Sequence, residues 1–145
     1  MATKSLPRGI RNNNPGNINF VNQPGAKMEP KSASVPVPRF AAWPTMDQGV
    51  IALAYQIKLY FGRRINTPAK IISQWAPPTE NNTKSYIASV SQQIGAKPDQ
   101  QLTCDVATVS KLVMAISIYE CGHNLPFTIR SIQPLVERAL APPMV

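Results

Sequence analysis

The chain has 145 residues, with fifteen Lys plus Arg against seven Asp plus Glu, a formal charge of +8. Hydrophobic residues make up 43% of it, which excludes a disordered chain and suits one globular domain, 1–145, with its own core. The positive charge favours polyanionic partners (nucleic acid, anionic lipid or an anionic cell-wall polymer) without choosing among them, and no run approaches the ~20 apolar residues of a membrane span.

Residues 1–6 read as a flexible end. Met-Ala-Thr-Lys-Ser lacks the apolar run of a secretory signal. The expectation is synthesis in the cytoplasm without a signal peptide, with any role outside the cell needing delivery. Residues 5–20 read Ser-Leu-Pro-Arg-Gly-Ile-Arg-Asn-Asn-Asn-Pro-Gly-Asn-Ile-Asn-Phe. Asn-Pro-Gly is a turn signal: Pro15 presets φ at the second turn position and Gly16 accepts a positive φ at the third. The asparagines around it make a loop rich in donors and acceptors. It is either a tight turn with Asx caps or a ligand-facing loop whose amides bind sugar hydroxyls or N-acetyl groups.

Residues 18–44 carry two strand-like pieces, 18–21 and 35–43, among Gly, Pro and Lys. Pro36 and Pro38 allow an edge strand or an extended loop but not a central strand. A small irregular β region is expected here, with Glu29, between Lys27 and Lys31, solvated. Thr45-Met-Asp-Gln48 resembles a capping box, and Val50, Leu53, Ala54, Ile57 and Phe61 follow at helical spacing up to Gly62. Thr67 caps a short helix with Pro68 at its first position and Ile71, Ile72 and Trp75 inward.

The loop Trp75-Ala-Pro-Pro-Thr-Glu-Asn-Asn-Thr83 comes next. Asn82 or Thr83 then starts a helix with Tyr86, Ile87, Val90 and Ile94 inward and Gly95 as its stop. Asp105 caps a helix whose Val109, Leu112, Val113, Ile116 and Glu120 share one stripe, and Ser131 begins a last helix with Leu135, Val136 and Leu140. Residues 141–145 read as a flexible end. The fold class is therefore mainly α, within α+β, with about five helices and the β region near 18–44.

Among the carboxylates Glu120 stands out. At about 100° per residue it lies only about 40° around from Ile116, so it extends an apolar face. Desolvation there would raise its pKa and keep it protonated near neutrality, as a general acid requires. A Glu in a last helical turn can equally sit at the surface or pair with Arg8, Arg11 or Arg130. Glu80 could be a second carboxylate or a helix cap. Asp47 and Asp105 read as first-turn residues and Glu137 as solvent-facing. On one helix, Cys104 and Cys121 would stand roughly 25 Å apart, too far for a disulfide. Two Cys and one His make no metal-ligand spacing, so neither metal nor cofactor is expected. The scattered basic residues lack an aromatic-basic RNA signature, so no specific nucleic-acid partner is expected either.

The segment Ala115 to Glu120-Cys121-Gly122, with Asn124 and Pro126-Phe127, resembles the catalytic helix end of lysozyme-like lytic transglycosylases, where a Ser stands in place of Cys121. The stretch Arg8-Gly-Ile-Arg-Asn-Asn-Asn-Pro-Gly-Asn-Ile18, with the 75–83 loop and Tyr86-Ile87, looks like a family of small phage and prophage proteins described as virion structural or lysis proteins. Its Asn-Asn-x-Gly-Asn-Ile pattern is also similar to the segment that follows the catalytic Glu in bacterial glucosaminidases with a lysozyme-like core. In those enzymes the Glu helix comes first and here it comes last, so a circularly permuted lysozyme-like domain would account for both patterns.

The resemblance implies cleavage of peptidoglycan glycan strands, of lytic transglycosylase or muramidase/glucosaminidase type, at the bacterial cell wall. Glu120 would be the acid and base, and Glu80 the second carboxylate that a hydrolase wants. Arg11, Asn13, Asn14, Asn17, Trp75, Asn81, Thr83 and Tyr86 would bind the glycan. The implied partners are peptidoglycan and other virion or secretion-apparatus proteins. The alternative is a non-catalytic peptidoglycan-binding or virion structural protein. The first reading carries one geometric expectation: Glu120 lies within one sugar's reach of the 12–18 loop.

Overall fold

A computed structural model describes residues 6–78 and 82–142. Glu80 and Asn81 lie outside the described residues, as do the expected flexible ends apart from Leu6, Ala141 and Pro142. In chain order the elements are α1 (Arg8–Arg11), β1 (Lys27–Met28), β2 (Ala41–Ala42), α2 (Met46–Gly62), α3 (Pro68–Trp75), α4 (Thr83–Ile94), α5 (Val106–Cys121) and α6 (Ile129–Leu140).

Most helix starts follow from a side-chain oxygen meeting the amide three residues on, which satisfies one of the helix's orphan donors. Thr45 accepts from the Gln48 amide while the Gln48 side chain returns to the Thr45 amide. Thr67 accepts from Lys70, Asn82 from Ser85 and Asp105 from Thr108. The last helix departs from expectation. Its cap is Thr128, and Ser131 is the third residue of a capping box that closes back on Thr128.

The core lies among α2, α4, α5 and α6. Leu112, Val113 and Ile116 of α5 meet Leu53 and Ile57 of α2, Tyr86 and Val90 of α4, and Ile132 and Val136 of α6, all fully buried. The architecture is mainly helical with a small antiparallel sheet, as expected, though with six helices among the described residues rather than about five. The addition is the four-residue α1. Pro7, with φ of −53°, stands at its start and accepts the amides of Ile10 and Arg11, so a single turn forms where a loop was expected. In the β region, Lys27 pairs with Ala42 and Met28 with Ala41, and an isolated bridge joins Asn19 to Phe40.

Two expectations for the N-terminal third are overturned. Glu29 is not solvated but buried, with 3% of its surface exposed. Arg8 grips it with Nε to Oε1 at 2.8 Å and Nη2 to Oε2 at 2.6 Å, and Asn12 Nδ2 donates to Oε1 at 3.0 Å. The backbone amides of Arg39 and Phe40 donate to Oε2 at 3.0 and 2.7 Å. One carboxylate therefore ties α1 to the β region. Its ion pair with Arg8, helped by these amides, holds its carboxyl down at about 2 against an ordinary 4.5.

The positive φ of the Asn-Pro-Gly segment does not fall on Gly16 either. Asn13 and Asn17 take it, both at 51°, a conformation that Asn tolerates better than most residues. Gly16 is required for space instead, because a Cβ there would stand 2.7 Å from Trp75 Cζ2 and 3.1 Å from Leu53 Cδ1.

Gly49, in the first turns of α2, is tighter still: a Cβ would land on the backbone carbonyl of Asn13 and close to the Pro15 ring. Neither can retreat as a flexible side chain would. Gly49→Ala is expected to cost roughly 1–3 kcal/mol, the range for overpacking a filled site. At about 2–4 °C per kcal/mol this is a visible drop in thermal midpoint, to be read by differential scanning calorimetry. An unchanged midpoint would contradict the close seating of the asparagine loop on α2.

Candidate functional site

α5 is apolar along most of its length and ends with Tyr119, Glu120 and Cys121 before Gly122, which has φ of 87°. α1 packs on this end. The approach depends on Gly9, where a Cβ would stand 2.6 Å from Cys121 Sγ and 2.7 Å from the Asn14 carbonyl oxygen. Cys121 donates its thiol to the Pro15 carbonyl at 3.5 Å. Burial first, and the neighbouring Glu120 charge second, push that thiol up to about 11.

This seating brings the asparagine loop onto the helix end. Asn17 Nδ2 donates to Glu120 Oε1 at 2.8 Å. A carboxylate can only accept, so the amide must turn its NH2 toward it. Asn17 Oδ1 is then buried without a hydrogen-bond partner, a group that normally finds one.

Glu120 is half-buried and opens on a polar cavity of about 220 Å³, lined by Gly16, Asn17, Asn19, Arg39, Phe40, Gln74, Trp75, Ala76, Pro77 and Glu120. Asn17 and Asn19 line this cavity, while Ile18, between them, lines a different, apolar groove. Arg39 is held at the cavity: its Nε donates to Asn19 Oδ1 at 3.2 Å, and its guanidinium lies 4.9 Å from the Phe40 ring centroid. Trp75 stands edge-on to Tyr60 with centroids 6.3 Å apart.

Behind the carboxylate, Tyr86 is fully buried and stacks on Tyr119, with ring centroids 3.7 Å apart. Its hydroxyl makes no hydrogen bond of good geometry. Burial, and then the nearby Glu120 charge, raise its phenol far above the ordinary tyrosine value. Tyr86 therefore stays neutral and stands behind Glu120 with its hydroxyl toward the carboxylate.

The residues expected to act together separate into three sets. Glu120, Asn17 and Trp75 meet at the cavity, with Tyr86 behind them. Asn13, Asn14 and Thr83 spend their polar groups on the backbone. Asn13 Nδ2 donates to the Trp43 carbonyl, and the buried Asn14 binds the carbonyls of Ile18 and Ala41 and the amide of Ile18. Thr83 Oγ1 donates to the Ala76 carbonyl at 2.5 Å. Arg11 is exposed and donates to the Leu6 carbonyl. Sequence reasoning missed Asn19, Arg39, Phe40 and Gln74. Among the described residues no cluster of three His, Cys, Asp or Glu suits a metal ion, and no helix is long and apolar enough to cross a membrane.

The arrangement offers a carboxylate with one oxygen fixed by an amide, beside a cavity with amide, guanidinium and aromatic walls. Such a set can pass a proton to and from a polar, ring-bearing ligand. No family model matches the chain. A curated relative, protein P5 of Pseudoalteromonas phage PM2, is 33% identical over 122 residues, which is 83% of this chain and 74% of the relative.

Proposed function

The chain belongs to the family of protein P5 of Pseudoalteromonas phage PM2, and from that premise we propose that it cleaves peptidoglycan glycan strands in a phage setting, with Glu120 as general acid and base. The observation that carries this reading is the 2.8 Å contact between Asn17 and Glu120, 103 residues apart in sequence, at the wall of a polar cavity. It joins the two segments that separately resemble lysozyme-like enzymes, and a circularly permuted lysozyme-like core is part of the proposal.

In the proposed reaction the protonated Glu120 gives its proton to the glycosidic oxygen as the C1–O4 bond breaks and positive charge develops at C1. The resulting carboxylate then takes the proton of the same sugar's 6-hydroxyl while O6 closes on C1. The product is a 1,6-anhydro end, no water is consumed and Glu120 is protonated again. Asn17 keeps the carboxylate oriented through both proton transfers. Trp75 offers an apolar wall to the sugar ring, and the positive chain suits an anionic wall polymer. Action at the cell wall would follow association with the virion or delivery by a holin or injection apparatus.

Digestion of purified sacculi followed by mass spectrometry tests the reading. Soluble muropeptides with anhydro ends, one water lighter than hydrolysed ends, are expected. Hydrolysed ends would replace the transglycosylase step by water attack and call on a second carboxylate, for which Glu80 is the candidate. Binding to insoluble peptidoglycan without release of any soluble fragment would reject catalysis in favour of a non-catalytic wall-binding or virion structural protein.

A further inference from the structure

A concavity larger than the one at Glu120 lies elsewhere. It lies along the outer face of α2, with a volume of about 630 Å³ and an apolar lining that includes Val21, Trp43, Ile51, Tyr55, Leu59 and, from α6, Arg138. Three of its walls are large hydrophobic side chains left open to solvent: Val21 at 70% exposure, Tyr55 at 49% and Leu59 at 43%. Scattered exposed apolar residues need no explanation, but several gathered in one concave site mark a surface that something covers.

Shape and charge describe the occupant. Ile51, Tyr55 and Leu59 follow one another at four-residue intervals and form a ridge along α2. From Gln48 to Leu59 the groove runs about 16 Å at 1.5 Å per residue, the length of about three turns of a second helix. Among the described residues no Asp or Glu lines it, and the one charged lining residue is Arg138. Lys58 adds a second cation at the edge, its Nζ 5.9 Å from the Tyr55 ring centroid. A second copy of this chain brings the same +8 charge and would be repelled. An acidic amphipathic helix satisfies both features, with its apolar stripe on the α2 ridge and its carboxylates toward Arg138 and Lys58.

We propose that this groove docks an acidic amphipathic helical segment of another protein. The proposal does not rest on the glycan-cleaving role and stands or falls separately from it. The test uses the whole protein and three labelled synthetic helical peptides, read by fluorescence anisotropy. One has an apolar stripe flanked by Glu, one the same stripe flanked by Lys, and one the Glu composition with the stripe scrambled.

The Glu peptide is expected to bind, and the Lys and scrambled peptides to bind at least about tenfold more weakly, the scale of losing an anchor or its charge match. Leu59→Lys and Tyr55→Lys, at exposed positions that leave the fold's melting unchanged, should each weaken the Glu peptide by a similar factor. Arg138→Glu should narrow the gap between the Glu and Lys peptides. Equal binding of all three peptides, or wild-type affinity in both α2 variants, would overturn the proposal. So would a wild-type dimer in sedimentation that Leu59→Lys dissociates, since the occupant would then be a second copy.

Discussion

Glu120→Gln is expected to lower the release of soluble muropeptides by about 10²–10⁴-fold, the usual contribution of a positioned general acid, without a change in melting temperature. The substitution separates chemistry from structure. Gln keeps the length of the side chain and a carbonyl oxygen that can accept from Asn17 Nδ2, the 2.8 Å bond that joins the 12–18 loop to α5. What it removes is the exchangeable proton. Glu120 is half-buried at the cavity rim and not part of the apolar core, so the fold does not depend on its charge. Zymograms on sacculi, with the variant's thermal unfolding as control, make the measurement. Full clearing by Glu120→Gln would reject this residue as the acid even if the protein proves to cut glycan.

The second large effect is on stability. Glu29→Gln is expected to destabilise the protein by about 3–5 kcal/mol, because it removes one partner of a buried ion pair and leaves Arg8 and the amides of Arg39 and Phe40 facing a weaker acceptor. The effect has a definite pH dependence. The folded protein holds the Glu29 carboxyl at about 2, below its ordinary 4.5. The charged form is thus favoured by folding, and its stabilisation is fully present above the unfolded value. It fades as pH falls from about 4.5 toward about 2. Gln does not titrate, so the gap between wild type and variant should be widest near neutrality and close across that acid window. Urea unfolding at several pH values reads it. A gap that is constant with pH would show that Glu29 acts through packing alone.

Both predictions concern carboxylates, yet only one of the two was visible in the sequence. Glu120 announced itself by position, at the end of an apolar stripe and before a glycine. Glu29 sits between two lysines among prolines and glycines, a setting that reads as solvent. Its burial comes from five donors supplied by Arg8, Asn12, Arg39 and Phe40, at separations of 10 to 21 residues. The asparagine loop departs from its sequence reading in two details. Asn14 looked like a sugar ligand but saturates its amide on the backbone of Ile18 and Ala41. Gly16 looked like a positive-φ turn residue but yields space to Trp75 and Leu53.

What the sequence determined by itself was the helical class and most of the helix boundaries. The caps at Thr45, Thr67 and Asp105 each bind an amide three residues along, and an apolar face repeats within a few residues. Both signals are local, written entirely within the segment they govern. What only the tertiary structure decided was which loop meets which helix end. Gly9 and Gly49 let α1 and the asparagine loop close on α5 and α2, and that closure sets Asn17 against Glu120 across 103 residues. Such a pairing depends on space left by missing side chains and on donors converging from distant segments. No spacing along the chain encodes it.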